Sequence, residues 1–210
     1  MKYYPVCLNV TGKKCIVVGG GEVGERKVKR LVECGANVVV VGKMLTPTLK
    51  TMTGEGRIAH IDADYDETHI HGAFLVIGAT DRDEVNERIS RQAREKNILV
   101  NIVDDPARCD FILPSLLQRG DLLIAISTGG KMPALARRLR EELEGHYGPE
   151  YATLLTILGE LRKEVIARGY SSPKNKRLFT ALVNDILQHI REKNWDRLRE
   201  IIRDCVTRNP

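Results

Sequence analysis

Long apolar runs are absent. A membrane-spanning helix needs about 20 apolar residues in a row, and the apolar stretches here, such as Phe74–Gly78 and Leu122–Ile126, are strand-sized. The opening MKYYPVCLNV has no long apolar h-region, so no secretory signal is expected. Cysteine is sparse and unpaired in pattern: Cys7, Cys15, Cys34, Cys109 and Cys205 are odd in number and contain no C-x-x-C. That predicts a reducing, cytoplasmic setting and gives no support to a structural zinc site. Cys15 and Cys34 fall in apolar patterning and are expected to be small buried residues. The five histidines (His60, His69, His71, His146, His189) lack any metal-ligand spacing such as H-E-x-x-H, so no resident metal is expected. His69 and His71 read as surface residues near a turn. Aromatics make up only 5% of the chain, which disfavours a nucleic-acid surface with interleaved rings.

What is present is the composition of a globular protein, 42% apolar and 29% charged. The 210 residues suffice for one medium domain, or a domain with an appendage. The net charge of +5 is uneven. Residues 1–105 carry 15 basic and 15 acidic side chains, whereas residues 146–210 carry 12 and 8. A positive second half serves solubility, an anionic ligand or nucleic acid, the last being the weakest of the three.

The stretch KCIVVGGGEVGER, Lys14–Arg26, organises the rest. The run Cys15–Val18 stops at Gly19, and Gly19, Gly21 and Gly24 fall at the G-x-G-x-x-G spacing before a helical pattern. Gly19 allows a sharp exit from the strand, Gly21 admits a pyrophosphate to the backbone, and Gly24 lets the helix pack closely. The helix N-terminus offers free N–H groups and partial positive charge to phosphates. A bare glycine-rich turn is the alternative.

Strand and helix patterns then alternate. Leu8–Val10 reads as a short strand, Val23–Glu33 as a helix with Val28, Leu31 and Val32 inward, and Asn37–Val41 as a buried parallel strand. Ile58–Ile61, Phe74–Gly78 and Ile98–Val103 read as further strands, with a helix over Asp83–Lys96. This is an α/β pattern with right-handed crossovers and a parallel sheet. After Pro106, Phe111–Leu113 and Leu122–Ile126 read as strands and Met132–Glu144 as a helix. From about residue 148 the chain reads as helical: Tyr151–Ala167, Lys174–Ile190 and Trp195–Val206, with a break over Ala167–Pro173. The expected division is a nucleotide domain over 1–113, a middle segment over 114–147 and a helical domain over 148–210.

Ligands of open α/β sheets sit beyond the carboxyl ends of the strands. Besides the glycine turn, two ends attract attention. Gly78-Ala79-Thr80-Asp81 leaves room and offers the Thr80 hydroxyl. Asn101-Ile102-Val103-Asp104-Asp105 puts carboxylates where a reacting group belongs, although Asp before Pro is also a common turn former. An NAD site usually places an acid about 20 residues after the glycines. Here that region is Val41-Gly42-Lys43-Met44, with no acid. Lys43 suits a 2′-phosphate, so spacing alone leaves NAD against NADP open. Ile126-Ser127-Thr128-Gly129-Gly130-Lys131 is a second glycine turn, not a P-loop, able to hold an anion. The window from Lys131 to Arg140 has Lys131, Arg137, Arg138 and Arg140 and no acid, which also fits a plain solvated helix face. Tyr170 and Lys174 match Y-x-x-x-K by count, but Pro173 disfavours a continuous helix between them.

Taken together, PVCLNVTGKKCIVVGGGEVGERK, GATDRDEVN, NIVDDPARCDFILPS and ISTGGKMPALARRLREELE resemble the precorrin-2 dehydrogenase family, the dehydrogenase/ferrochelatase type of sirohaem synthase. The resemblance covers about residues 5–145 in order. It implies a Rossmann-like parallel-sheet domain, a small α+β dimerisation segment and a C-terminal helical domain. It implies NAD-dependent oxidation of precorrin-2 to sirohydrochlorin, with ferrous iron insertion in some members. Asp104 matches the family's critical carboxylate. Gly19, Gly21, Glu22, Val23, Gly24, Lys43 and Met44 match its NAD contacts, with Thr80 and Asn101 beside them. The turn from Ser127 to Gly130 matches the tetrapyrrole side, so Ser127, Thr128 and Gly129, with Lys131 next to them, are expected to bind substrate. The family uses NAD although its second strand often lacks the acid. A homodimer is implied, with neither nucleic acid nor membrane as partner. At this length no fused uroporphyrinogen methyltransferase is expected. Two other functions compete: a non-catalytic NAD(H)-sensing regulatory domain, and an NADP-dependent reductase of another small acid, suggested by Lys43.

Overall fold

Four β-branched runs meet in a parallel sheet that is covered on both faces. The computed structural model describes residues 3–167, 172–192, 194, 196–197 and 200–201. The sheet strands are β1 (Lys14–Gly20), β2 (Asn37–Leu45), β3 (Ala59–Ile61), β4 (Leu75–Gly78) and β5 (Leu99–Ile102). They lie in the order β3-β2-β1-β4-β5, all parallel. Helices α1 (Glu22–Glu33), α2 (Pro47–Gly54) and α3 (Asp83–Glu95) connect them, with single-turn helices at Glu67–Ile70 and Pro106–Arg108.

The pleat explains the unbroken apolar runs. Along β1, Cys15 and Val17 face a cluster with Val28, Leu31 and Val40, while Ile16 and Val18 face another with Val85, Ile89 and Val100. Both faces are dry, so no polar alternation is possible. Inward α3 residues are Val85, Ile89 and Ala93, as their spacing predicts. Burial pushes the Cys15 thiol up to about 11 and the Tyr65 phenol up to about 12, and the Tyr65 hydroxyl donates to Gln92 at 2.9 Å.

The chain divides into two compact units, one of Met1–Leu113 with Thr128–Met132, the other of Pro114–Ser127 with Pro133–Pro210. In the second, β6 (Ser115–Arg119) and β7 (Leu122–Ile126) form an antiparallel hairpin closed by Gly120-Asp121. Gly120 has φ of 56°, which suits a two-residue hairpin turn. Helices α4 (Pro133–His146), α5 (Glu150–Ala167) and α6 (Ser172–Arg191) follow. Tyr151, Leu154, Leu182, Ile186 and Ile190 form this unit's buried cluster.

Several expectations are corrected. Leu8–Val10 is irregular, although Val10 is buried. Phe111–Leu113 is not a strand: Pro114 intervenes, and the hairpin starts at Ser115. Helix α2 was not expected. Cys34 is exposed, because it is the residue at which α1 ends rather than part of its buried stripe. Cys205, Tyr170 and residues 168–171 of the expected break lie outside the described residues, as does most of Trp195–Val206. Among the described residues no helix is long and apolar enough to cross a membrane.

Candidate functional site

The glycine turn after β1 has three positions closed to any side chain. A Cβ on Gly19 would lie 2.3 Å from the Ala79 carbonyl oxygen, on Gly20 2.2 Å from that of Met44, and on Gly24 2.0 Å from that of Gly19. Gly19 also has φ of 113°, in the region that favours glycine. Gly24 therefore does what its spacing predicts: α1 packs directly on the turn. Gly21 differs. A Cβ there would meet nothing within 4 Å, so nothing in the protein requires its smallness. Gly21 is also the N-cap of α1 and gives it no side-chain cap bond. The first-turn N–H groups are left for a ligand, which suits a phosphate.

The turn opens on a cleft of about 670 Å³ at the carboxyl ends of β1, β2 and β4, the scale of a small-molecule site. It lies where the strand order reverses between β1 and β4, the usual place for a dinucleotide. Gly19, Gly21, Glu22 and Val23 line it, as do Lys43, Met44, Thr80 and Asp104. Gly24 lies beneath. Asn101 does not line the cleft: it is 7% exposed, and its amide donates to the Phe111 carbonyl at 2.9 Å. Its amide is engaged in the packing between β5 and Phe111. Thr80 is partly committed, since its hydroxyl donates to Asn86 Oδ1 at 2.9 Å. Lys43 Nζ pairs with Asp64 at 2.5 Å.

After β5 the chain turns at Asp104, whose φ of 62° is left-handed, a region Asp enters more readily than most residues. The two neighbouring aspartates have separate jobs. Asp105 Oδ1 accepts from the N–H groups of Ala107 and Arg108 at 3.0 and 3.3 Å, capping the short helix. Arg108 pairs with Asp83 and Glu87 at 2.5 and 2.8 Å and with Asp105 at 3.2 Å, holding Asp83 below the usual carboxylate range. Cys109 Sγ accepts from the Ile102 N–H at 3.1 Å. Asp104 makes no hydrogen bond or ion pair among the described residues and lines the cleft. The ammonium of Lys27, on α1, is held below its ordinary range, chiefly by burial and then by Arg26, while the charge of Asp104 pulls it back up. Sequence reasoning missed Lys27, Arg108 and Asp64; none carries a spacing signal.

Thr128–Met132 belongs to the first unit. Its Thr128 hydroxyl accepts from the Met132 N–H at 3.1 Å, and a Cβ on Gly130 would lie 3.7 Å from Pro106, two residues beyond Asp104. Gly129 and Lys131 are exposed in this turn, and Ser127 is exposed at the end of β7 in the second unit. Arg137, Arg138 and Arg140 are each paired along α4, with Glu141, Glu142 and Glu144. Arg137 and Arg138 lie on the exposed face of α4, and Arg140 is half-buried.

Comparison with known proteins gives this geometry a family. An NAD(P)-binding family model matches residues 6–115, and the model of the sirohaem biosynthesis protein central segment matches residues 119–146. The solved structure of SirC, precorrin-2 dehydrogenase, superposes with a TM-score of 0.82 at 25% identity, covering 97% of this chain and 98% of that one.

The chain belongs to the NAD(P)-binding sirohaem-biosynthesis family that these two models describe.

Its relatives include the siroheme synthase of Methylobacillus flagellatus, 42% identical over 179 residues, which are 85% of this chain and 38% of that protein. That of Salmonella schwarzengrund is 35% identical over 188 residues, 89% of this chain and 41% of the other. The chain thus spans about two fifths of the length of these curated relatives. The family model and the glycine cleft make this an NAD(P)-binding site.

Proposed function

We propose that this protein oxidises precorrin-2 to sirohydrochlorin with NAD, a step of sirohaem synthesis. One observation carries the reading: Asp104 is an uncommitted carboxylate on the wall of the glycine-lined cleft, while its neighbour Asp105 is consumed as a cap. NAD, when bound, supplies the hydride acceptor. The protein's own residues do the rest. The α1 N-terminus and Gly21 hold the pyrophosphate; Glu22, Val23, Lys43 and Met44 lie along the cofactor. Asp104 accepts the proton that the macrocycle loses, or fixes its orientation by charge. Thr128, Gly129 and Lys131, with Ser127, are assigned to the substrate's carboxylates. The turn against Pro106 supports that assignment for Thr128–Lys131.

The same carboxylate suits removal of pyrrole protons during ferrous iron insertion, with iron as substrate, and we include that as a second activity. The exposed Leu123, Leu135 and Leu139 of the hairpin and α4 support a homodimer. Free thiols at Cys7, Cys15, Cys34 and Cys109 support a cytoplasmic location. The test is to incubate purified protein with precorrin-2 and NAD and to follow sirohydrochlorin absorbance, with an iron-insertion assay run beside it. Product formation that does not depend on NAD, or no product at all, overturns the reading.

A further inference from the structure

Asp64 lines the cleft, yet no motif marks it. It follows β3, the edge strand, and β3 lies beside β2. A residue leaving β3 therefore arrives next to the carboxyl end of β2, where this fold places the adenosine ribose. An NAD site usually has a carboxylate on β2 itself, and here β2 presents Gly42, Lys43 and Met44 instead. Asp64 fills that vacancy from the neighbouring strand. Its Oδ2 is 2.5 Å from Lys43 Nζ and its Oδ1 is 3.3 Å from an Arg82 guanidinium nitrogen. All three residues line the cleft. Arg82 stands at the N-cap position of α3, after β4, so one carboxylate ties together the loops that follow β2 and β4. The Lys43 ammonium, first among its neighbours, holds the Asp64 carboxyl below its usual range, so it is charged at neutral pH.

Lys43 and Arg82 without Asp64 would be a phosphate site. With Asp64 between them, an incoming 2′-phosphate meets a like charge at the point where it needs cations. Ribose hydroxyls meet an acceptor with lone pairs to spare.

We propose that Asp64, reaching in from the third strand, is the residue that makes this cleft select NAD over NADP. The inference rests on the cleft being the cofactor site, and the experiment separates the two. The intact chain is titrated with NADH and with NADPH, following nicotinamide fluorescence, for the wild type, Asp64→Asn, Asp64→Glu and Asp64→Asn with Lys43→Ala. Wild type and Asp64→Glu are expected to prefer NADH. In Asp64→Asn the ratio of NADPH to NADH dissociation constants falls by about tenfold, and adding Lys43→Ala raises it again, because the freed ammonium was the attraction. NADH binding with a ratio that stays within about twofold in Asp64→Asn overturns this inference alone and leaves Asp64 a loop fastener. A wild type that binds neither nucleotide overturns the cofactor reading as well.

Discussion

Two turns frame the same cleft and are built in opposite ways. The turn after β1 is shaped by missing side chains: Gly19, Gly20 and Gly24 sit where a Cβ would strike backbone oxygen. The turn after β5 is shaped by side chains: Asp105 caps it, Arg108 ties it to α3, and Cys109 takes a strand N–H. A steric turn fails at the addition of one methyl group. An ionic turn on the surface loses little when one pair goes, since such pairs are each worth about 1 kcal/mol or less. The exceptions within each turn are Gly21, where a Cβ would meet nothing, and Asp104, which lines the cleft without a hydrogen bond among the described residues, and the proposed function rests on these two.

That contrast can be broken from either side. The largest effect is expected from Asp104→Asn, which tolerates the same left-handed backbone. Turnover of precorrin-2 falls by about 10² to 10⁴, while NADH titration and the thermal melt stay at wild-type values; an active variant removes Asp104 from the mechanism. Next is Gly24→Ala. Its methyl group has no room against the Gly19 carbonyl, so stability drops by about 3 kcal/mol in urea unfolding, and a wild-type midpoint would show that α1 is free to shift. Gly21→Ala separates the two roles of glycine. It costs at most about 1 kcal/mol of stability as a changed N-cap but weakens NADH binding about tenfold, or 1.4 kcal/mol. Arg108→Ala is milder, a loss of about 1 kcal/mol with turnover reduced less than in Asp104→Asn; equal losses of turnover would mean that Arg108 itself meets substrate. Smallest is a labelling pattern. Under iodoacetamide at pH 8, mass spectrometry should find Cys7 and Cys34 alkylated and Cys15 untouched, because burial keeps its thiol neutral to about 11.

Most of the sheet was legible because strands covered on both faces have no polar alternation to confuse them: Cys15–Val18 and Asn37–Val41 lie wholly on observed strands, and Phe74–Gly78 overshoots its strand by one residue, Phe74. The failures are local and physical. Phe111 looked like strand but is held as a loop whose carbonyl serves Asn101. Helix α2 has a weak apolar face, yet Thr46 caps it and Pro47 opens it, a signal that was readable. Asp104 could be found because its strand end is named by sequence order. That Asn101 lies off the cleft lining was not legible, because a strand end does not say which way a side chain faces. Asp64 could not be found at all. It matters only because β3 lies next to β2, a fact of sheet order and not of spacing.

The steric turn also bears on when the cofactor mouth comes into being. Gly19 is set against Ala79 beyond β4, Gly20 against Met44 on β2, and Gly24 against Gly19 from α1. No fragment lacking one of these pairings can shape the phosphate cradle, so a half-folded chain is blind to NAD. Binding is then a tax levied only on unfolding: at a hundred times its dissociation constant the nucleotide deepens the native well by about 2.7 kcal/mol. In a cell rich in the dinucleotide, the cofactor acts as a ligand for completeness and lengthens the life of finished molecules over unfinished ones.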